Sequence, residues 1–156
     1  MSAHIAMEQS YGYVDGDSAS VAELCTLLSA LTQTPLRQDI AITGSMNQYG
    51  EVQAIGGANE KIEGFFDICE ARGLTGSQGV IIPASNTEDL MLKPNIIAAV
   101  SAGKFSIYAV NHADEALAIL SGEDPGKEKS PGDFPKGSLN NRIVAKLRNF
   151  YKLANG

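Results

Sequence analysis

The sequence predicts an α/β (α+β) fold with a mixed β-sheet, packed helices and a C-terminal amphipathic helix. Strand-like and helix-like segments alternate along most of the chain, which is typical of this class. With 156 residues and 44% hydrophobic content, the chain is long enough for one well-packed domain, and not for two. We therefore expect a main domain at 1–121, a linker at 122–137 and a basic helical tail at 138–156.

The first predicted elements are strands followed by a helix. Residues 4–14 have the composition of one or two β-strands. Apolar residues at helical spacing predict a first helix at about 18–32, which ends before Thr34-Pro35 because proline restricts the residue before it. Asp17 is the expected N-cap of this helix, since its carboxylate can accept hydrogen bonds from free amides there.

A hairpin and a second helix come next. Alternating patterns at 39–43 and 51–55 flank the turn Asn47-Gln48-Tyr49-Gly50, and this arrangement predicts a β-hairpin. Gly56-Gly57 then leads into a helix at about 58–72. These two glycines either bring backbone close to a substrate or make a tight turn before the helix, and the sequence favours neither explanation.

The rest of the main domain adds two strands and two helices. The run at 79–83 predicts a short buried strand, and Asn86 is the expected cap of a brief helix that ends near residue 90. A further strand at 104–110 and a helix at about 112–121 complete the domain. Their alternation supports the α/β assignment.

The predicted linker and tail differ from the domain in composition and charge. Residues 122–137 contain three prolines and four glycines, which is typical of a mobile or extended linker. Residues 1–126 carry 5 Lys/Arg and 16 Asp/Glu, a net charge of −11, whereas residues 127–156 carry 7 and 2, a net charge of +5, which together give the −6 of the chain. Ser138 caps a helix with one apolar face, and we expect that face to dock on the acidic domain, its own or a neighbour's. The apolar face consists of Leu139, Ile143, Leu147 and Phe150.

Composition argues against several classes of protein. No run approaches 18 apolar residues and no basic segment precedes an apolar run at the N-terminus, so we expect no membrane partner and a cytoplasmic location. Cys25 and Cys69 fall on apolar helical faces, where a thiol behaves as a small buried hydrophobe. With two histidines and no Cys-x-x-Cys motif, the sequence does not predict a metal site.

Ser18 and Lys61 are the candidate catalytic pair. A serine hydroxyl is a poor nucleophile until a neighbouring group takes its proton, and a lysine amine can take it only when the surroundings keep the amine neutral. Ser18 stands at the predicted start of the first helix, and Lys61 is followed by an apolar helical stripe of Ile62, Phe65 and Phe66. As isolated residues, a serine there is usually a cap and a lysine there a solvated side chain.

Four sequence runs resemble the proteolytic domain of Lon proteases, and most closely its B type. Order and spacing match without gaps from Ser18 to Lys61, and the likeness continues to about Leu120. The runs are Gly16-Asp17-Ser18-Ala19-Ser20, then Pro35-Leu36-Arg37-Gln38-Asp39-Ile40-Ala41-Ile42-Thr43-Gly44-Ser45, then Gly50-Glu51-Val52, and Ile55-Gly56-Gly57-Ala58-Asn59-Glu60-Lys61-Ile62.

The resemblance implies a role for each candidate residue. Ser18 corresponds to the nucleophile of the family, Lys61 to its general base and Thr43 to the hydroxyl that orients the lysine amine. His4 matches a histidine on the strand that leads to the site. The family also implies cleavage of unfolded polypeptide by a homo-hexameric ring, powered by an ATPase module.

The chain departs from the family in two respects. Nothing in it resembles the Gly-x-x-x-x-Gly-Lys-[Ser/Thr] phosphate loop, so we expect this chain to bind no cofactor. We expect ATP and magnesium to bind to an ATPase module outside this chain. The chain is then expected to be a fragment of a longer protein. Asp17 stands where some relatives have proline, and its carboxylate either caps the helix or approaches the Lys61 amine. An ion pair with Asp17 would keep the amine charged and silence the base.

Three alternative hypotheses follow from the same residues. A silenced base would make the domain a ring-forming or substrate-holding module without activity. A triad of Ser18, His4 and Asp15 or Asp17 has the right residue types, but sequence adjacency is no evidence for triad geometry. Nucleic-acid binding by the basic tail has the least support, because one short basic stripe is weak beside an acidic body.

Overall fold

The computed structural model describes residue 5 and residues 16–155. His4 and the strands predicted at 4–14 therefore lie outside the described residues, except for the exposed Ile5. The described helices are α1 (Ser20–Thr32), α2 (Ala58–Arg72), α3 (Pro94–Ser101), α4 (Ala113–Ser121) and α5 (Leu139–Asn155), with a 3-10 helix at Ala84–Asp89. The described strands are β1 (Ile40–Ile42), β2 (Ser45–Met46), β3 (Val52–Gln53), β4 (Gly79–Pro83) and β5 (Ser106–Val110).

A three-stranded parallel sheet in the order β1-β4-β5 forms the centre of the domain. The central strand β4 is buried along its whole length and places Ile81 opposite Ile42 on one side and Tyr108 on the other. Successive strand residues point to opposite faces, so Ile81 packs on one side of the sheet while Val80 and Ile82 pack on the other. This layered arrangement confirms the predicted α/β class.

Two hydrophobic cores cover the two faces of the sheet. On one face, α1, α4 and α5 enclose the first core, which we call the α1 core; its buried residues are Val21, Cys25, Ile40, Ile81, Val110, Ala116, Leu117, Leu120, Leu139 and Ile143. On the other face, α2 and α3 enclose the α2 core; its buried residues are Ile62, Phe66, Cys69, Val80, Ile82, Ile96, Ala99 and Phe105.

The predicted hairpin has the wrong first strand. β1 does not pair with residues 51–55 but lies parallel to β4, and the antiparallel hairpin consists of β2 and β3. Ile40 and Ile42 pack in the α1 core while Ala41 packs against the α2 core, so β1 has apolar contacts on both faces. A strand with that burial belongs inside a covered sheet, and a local alternation pattern does not reveal its partner.

Asp17 is not the N-cap of α1. The helix begins at Ser20 with Ala19 as N-cap and no side-chain cap hydrogen bond, and the Asp17 carboxylate instead accepts a hydrogen bond from Ser45 Oγ at 2.6 Å. This hydrogen bond crosses 28 positions of sequence, so local capping rules do not predict it.

Between β4 and β5, the structure confirms the brief helix but not its cap. The helix is a 3-10 helix at Ala84–Asp89, and Asn86 is a buried residue inside it. Helix α3 was missed, although Pro94 stands at its first turn, a position that suits proline because its missing N–H has no helical partner there. The following strand begins at Ser106, after the fully buried Phe105.

The C-terminal helix packs against the domain of its own chain. Leu139 and Ile143 are buried in the α1 core, whereas Leu147 and Phe150 are about half exposed. This contact confirms the predicted docking for the first half of the apolar face. The segment at 122–137 has no helix or regular strand, yet it is hydrogen-bonded to α5: the amide of Leu139 donates to Asp124 O at 3.1 Å.

Both cysteines are free and buried. Burial raises the pKa of the Cys25 thiol to about 11, so this thiol stays protonated at neutral pH and is not a nucleophile. Among the described residues, no group of three His, Cys, Asp or Glu side chains has the arrangement of a metal site. No described helix combines the length and the apolar character that crossing a membrane requires.

Candidate active site

Ser18 lies in the turn before α1, and the chain segment after β1 holds this turn in place. We call residues 43–46 the clamp segment. The Ser18 carbonyl accepts hydrogen bonds from the Gly44 amide at 2.8 Å and from Thr43 Oγ1 at 3.3 Å, and the Val21 amide donates to Gly44 O at 3.2 Å. Three hydrogen bonds therefore hold the half-buried Ser18 against the end of β1.

Gly44 is the point of closest approach in this contact. A Cβ atom at Gly44 would lie 3.1 Å from Cγ2 of Val21 and 3.2 Å from Cγ1 of Val52. Those distances are tighter than ordinary van der Waals contacts, so a larger residue here requires Val21 and Val52 to move by a few tenths of an ångström. Glycine at this position lets the clamp segment lie close to both side chains.

Lys61 is the fourth residue of α2, and the start of this helix is fixed from two sides. Gly57 is the N-cap in a left-handed conformation with φ of 68°, and its carbonyl accepts from the Lys61 amide at 3.0 Å. Such a conformation favours glycine, which explains Gly57 as a turn residue. The buried Asn86 amide bonds both the N–H and the carbonyl of Ile55 at 3.0 Å, while the space around Gly56 is open.

These elements bring Ser18, Lys61 and Thr43 together. Lys61 Nζ donates to Ser18 Oγ at 2.9 Å and to Thr43 Oγ1 at 3.3 Å. A charged amine donates over these distances, whereas a neutral amine can accept the serine proton over the same 2.9 Å contact. Since Thr43 also donates to the Ser18 carbonyl, its hydroxyl links the two side chains of the pair.

The apolar side chains that follow Lys61 in α2 pack away from its amine. Ile62 and Phe66 point into the α2 core, and the half-buried Phe65 packs near Phe105 with ring centroids 6.3 Å apart. Lys61 itself is exposed. The apolar stripe of α2 therefore anchors the helix and leaves the amine open to solvent in this chain.

A cavity of about 260 Å³ opens beside the pair. Apart from the pair and Thr43, its lining residues are small or aliphatic and carry no charge: Ala19, Ala41, Ile42 and Val80. Its size and lining suit one uncharged side chain next to the Ser18 hydroxyl.

The remaining sequence candidates lie in different places. Asp17 bonds Ser45 and, in the part of the chain that the structure describes, makes no ion pair with Lys61 within 4.0 Å. His4 lies outside the described residues. Sequence reasoning missed the roles of Gly44, Ser45 and Asn86 in positioning the site, although all three belong to the stretch that resembles Lon proteases.

Comparison with known proteins identifies the family. Residues 1–121 match the model of the Lon protease (S16) C-terminal proteolytic domain. The chain belongs to this family. The resemblance seen in the sequence is thereby confirmed, and membership supports a protease.

Relatives of the Lon family match most of this chain but extend well beyond it. A Lon protease homolog of Escherichia coli (strain K12) is 57% identical over 119 residues, which cover 76% of this chain and 20% of that protein. The archaeal Lon protease of Thermococcus kodakarensis is 39% identical over 126 residues, which cover 81% of this chain and 18% of that protein. The chain thus spans about a fifth of the length of these relatives.

Proposed function

We propose that this chain is a serine endopeptidase in which Ser18 is the nucleophile and Lys61 the general base. The observation that carries the proposal is the 2.9 Å contact between Lys61 Nζ and Ser18 Oγ, next to a cavity of suitable size. Nucleophile and base lie within hydrogen-bond reach of each other, and a third group, Thr43, orients the base. The absence of an Asp17–Lys61 ion pair among the described residues speaks against the hypothesis of a silenced base.

The reaction follows from these positions. Neutral Lys61 takes the Ser18 proton while Oγ attacks the peptide carbonyl, and the lysine then gives the proton to the leaving amine as the C–N bond breaks. The acyl-enzyme ester remains. Water attacks this ester after losing a proton to Lys61, and the proton returns to Ser18 Oγ as the acid product leaves.

Backbone amides beside Ser18 are the proposed donors to the oxyanion. At the start of α1, the amides of Ser20 and Val21 already donate to Asp17 O and Gly44 O. We assign the oxyanion to the amides of Ser18 and Ala19, which lie at and directly after the proposed nucleophile.

A bound substrate supplies the water exclusion that Lys61 lacks in this chain. The amine is exposed, and exclusion of water favours the neutral form of a lysine. A polypeptide lying across the cavity covers both Ser18 Oγ and Lys61 Nζ. We therefore expect a bound polypeptide to make the base more effective than it is in the free chain.

A serine-directed phosphonylating probe tests the assignment of the nucleophile. A fluorophosphonate should label Ser18 in the folded chain, and labelling should be lost in Lys61→Met because the hydroxyl then has no base. Peptide mapping by mass spectrometry locates the label. Ser101→Ala, at an exposed serine of α3, is the matched control and should still be labelled; a label on any serine other than Ser18, or none, contradicts the proposal.

The cavity predicts a preference for uncharged residues before the scissile bond. Peptides with Leu at this position should be cleaved at least about tenfold faster than those with Asp or Lys, since an unpaired charge in an apolar pocket loses hydration. Competition assays that compare kcat/KM for matched peptides measure the preference. In Ala41→Leu, which narrows the cavity, the preference should move from Leu toward Ala. Equal rates for Leu and Asp peptides would show that the cavity is not the specificity pocket.

For the whole protein, we propose ATP-dependent degradation of unfolded or damaged polypeptides in the cytoplasm. The proposed partners are identical subunits in a hexameric ring and an ATPase module that binds ATP and magnesium. Support comes from the family and from relatives about five times as long as the region matched. Size measurement of the full-length protein by sedimentation, with and without ATP, tests this assembly.

A further inference from the structure

The Asp17 carboxylate, directly before the proposed nucleophile, is held by a buried hydroxyl. Ser45 Oγ donates to Asp17 Oδ2 at 2.6 Å, the length expected for a hydroxyl bound to an ionised carboxylate. Ser45 is 4% exposed, whereas Asp17 is exposed. The fixed partner is therefore Ser45, and the movable one is the carboxylate.

This carboxylate lies one residue before the serine that the lysine of the proposed dyad contacts. Consecutive Cα atoms lie about 3.8 Å apart, so rotation of the Asp17 side chain moves its carboxylate within the neighbourhood of Ser18. Lys61 Nζ lies 2.9 Å from Ser18 Oγ and is exposed, so an approaching anion meets no barrier of packed side chains. An ion pair there would keep the amine charged and compete with its contact to the serine.

We propose that Ser45 is a positioning residue that holds Asp17 away from Lys61 and so keeps the base available for Ser18. The inference rests on the proposed Ser18–Lys61 peptidase activity. Ser45 occupies the clamp segment directly after Gly44, which bonds the Ser18 carbonyl. The clamp segment thus fixes the backbone of Ser18 and also holds the carboxylate of the preceding residue, Asp17.

A double-mutant cycle separates this role from a merely structural one. Ser45→Ala should lower kcat for a peptide substrate about tenfold with little change in KM, because an adjacent carboxylate favours the charged amine by about one order of magnitude. Asp17→Asn should stay within about threefold of wild type, since asparagine can accept the Ser45 hydrogen bond and carries no charge. The Ser45→Ala/Asp17→Asn double variant should recover to the rate of Asp17→Asn.

The outcomes of this cycle are distinct. If the double variant is as slow as Ser45→Ala, then Ser45 acts through the fold and the proposed role is wrong. If wild-type hydrolysis persists in Ser18→Ala, the proposed function itself fails, whatever the cycle shows.

A second pair of variants at position 17 keeps the test valid if Ser45→Ala does not fold. Asp17 is exposed, so substitutions there do not disturb a core. Asp17→Glu places the carboxylate one methylene farther from the backbone, beyond the position that Ser45 bonds, and Asp17→Gln is its uncharged match. We expect the glutamate variant to be about tenfold slower than the glutamine variant; equal rates would overturn the proposal.

Discussion

Ser18→Ala and Lys61→Met should each lower the hydrolysis of an unstructured peptide by at least about 10³-fold, while the chain stays folded. The serine variant has no hydroxyl to form the acyl-enzyme. The lysine variant keeps a similar length and removes the amine that lies 2.9 Å from Ser18 Oγ. Because both groups act in the same step, the double variant should be no slower than either single variant.

Initial rates with an internally quenched peptide measure this effect, and the melting temperature shows that the fold is intact. Lys104→Met is the matched control, because Lys104 is also an exposed lysine and lies far along the chain from the cavity residues. It should keep the wild-type rate. A Lys61→Met variant as active as wild type would exclude Lys61 as the base and leave His4 as the next candidate.

The proximity of Ser18 and Lys61 was predictable because the order and spacing of the surrounding motifs, and not either residue alone, indicated it. Ser18 lies in the turn before α1 and Lys61 in the first turn of α2, and the structure brings their side chains to 2.9 Å. The wider motif match indicated the family, which two isolated residues cannot do. The family model confirms that the chain belongs to it. The fold class was predictable for a similar reason, since hydrophobic periodicity follows burial on a helix or strand.

What the sequence did not reveal depends on contacts between distant segments. Asp17 bonds Ser45 and does not cap α1, and Ser45 is 28 positions away in the sequence, so local rules do not identify this partner. The partner of β1 is likewise a matter of tertiary packing, because alternation at Ile40–Ile42 is equally compatible with a hairpin and a covered parallel sheet. The exposure of Lys61 also depends on how α2 packs: Ile62 and Phe66 are buried in the α2 core, and Lys61 stays exposed. The apolar stripe in the sequence does not specify this orientation.

Truncation after Gly122 should lower the melting temperature by about 10 °C or more. Leu139 and Ile143 complete the α1 core beside Val21 and Leu117, and burying each aliphatic side chain contributes about 1.5–3 kcal/mol. Losing both removes about 3–6 kcal/mol, a large part of the total stability of a domain of this size. Thermal unfolding followed by circular dichroism measures the change.

The same helix offers a control that separates core packing from simple helix loss. Leu147 and Leu153 are 45% and 74% exposed, so Leu147→Ser/Leu153→Ser should stay within about 2 °C of wild type, whereas Leu139→Ala alone should cost about 2–5 kcal/mol. A truncated chain that melts with the wild type would mean that α5 is not part of the folded core. Helix α1 begins directly after the Ser18 turn and packs on α5, so loss of α5 should also loosen the site. Peptide hydrolysis should therefore fall even at temperatures below the new melting point.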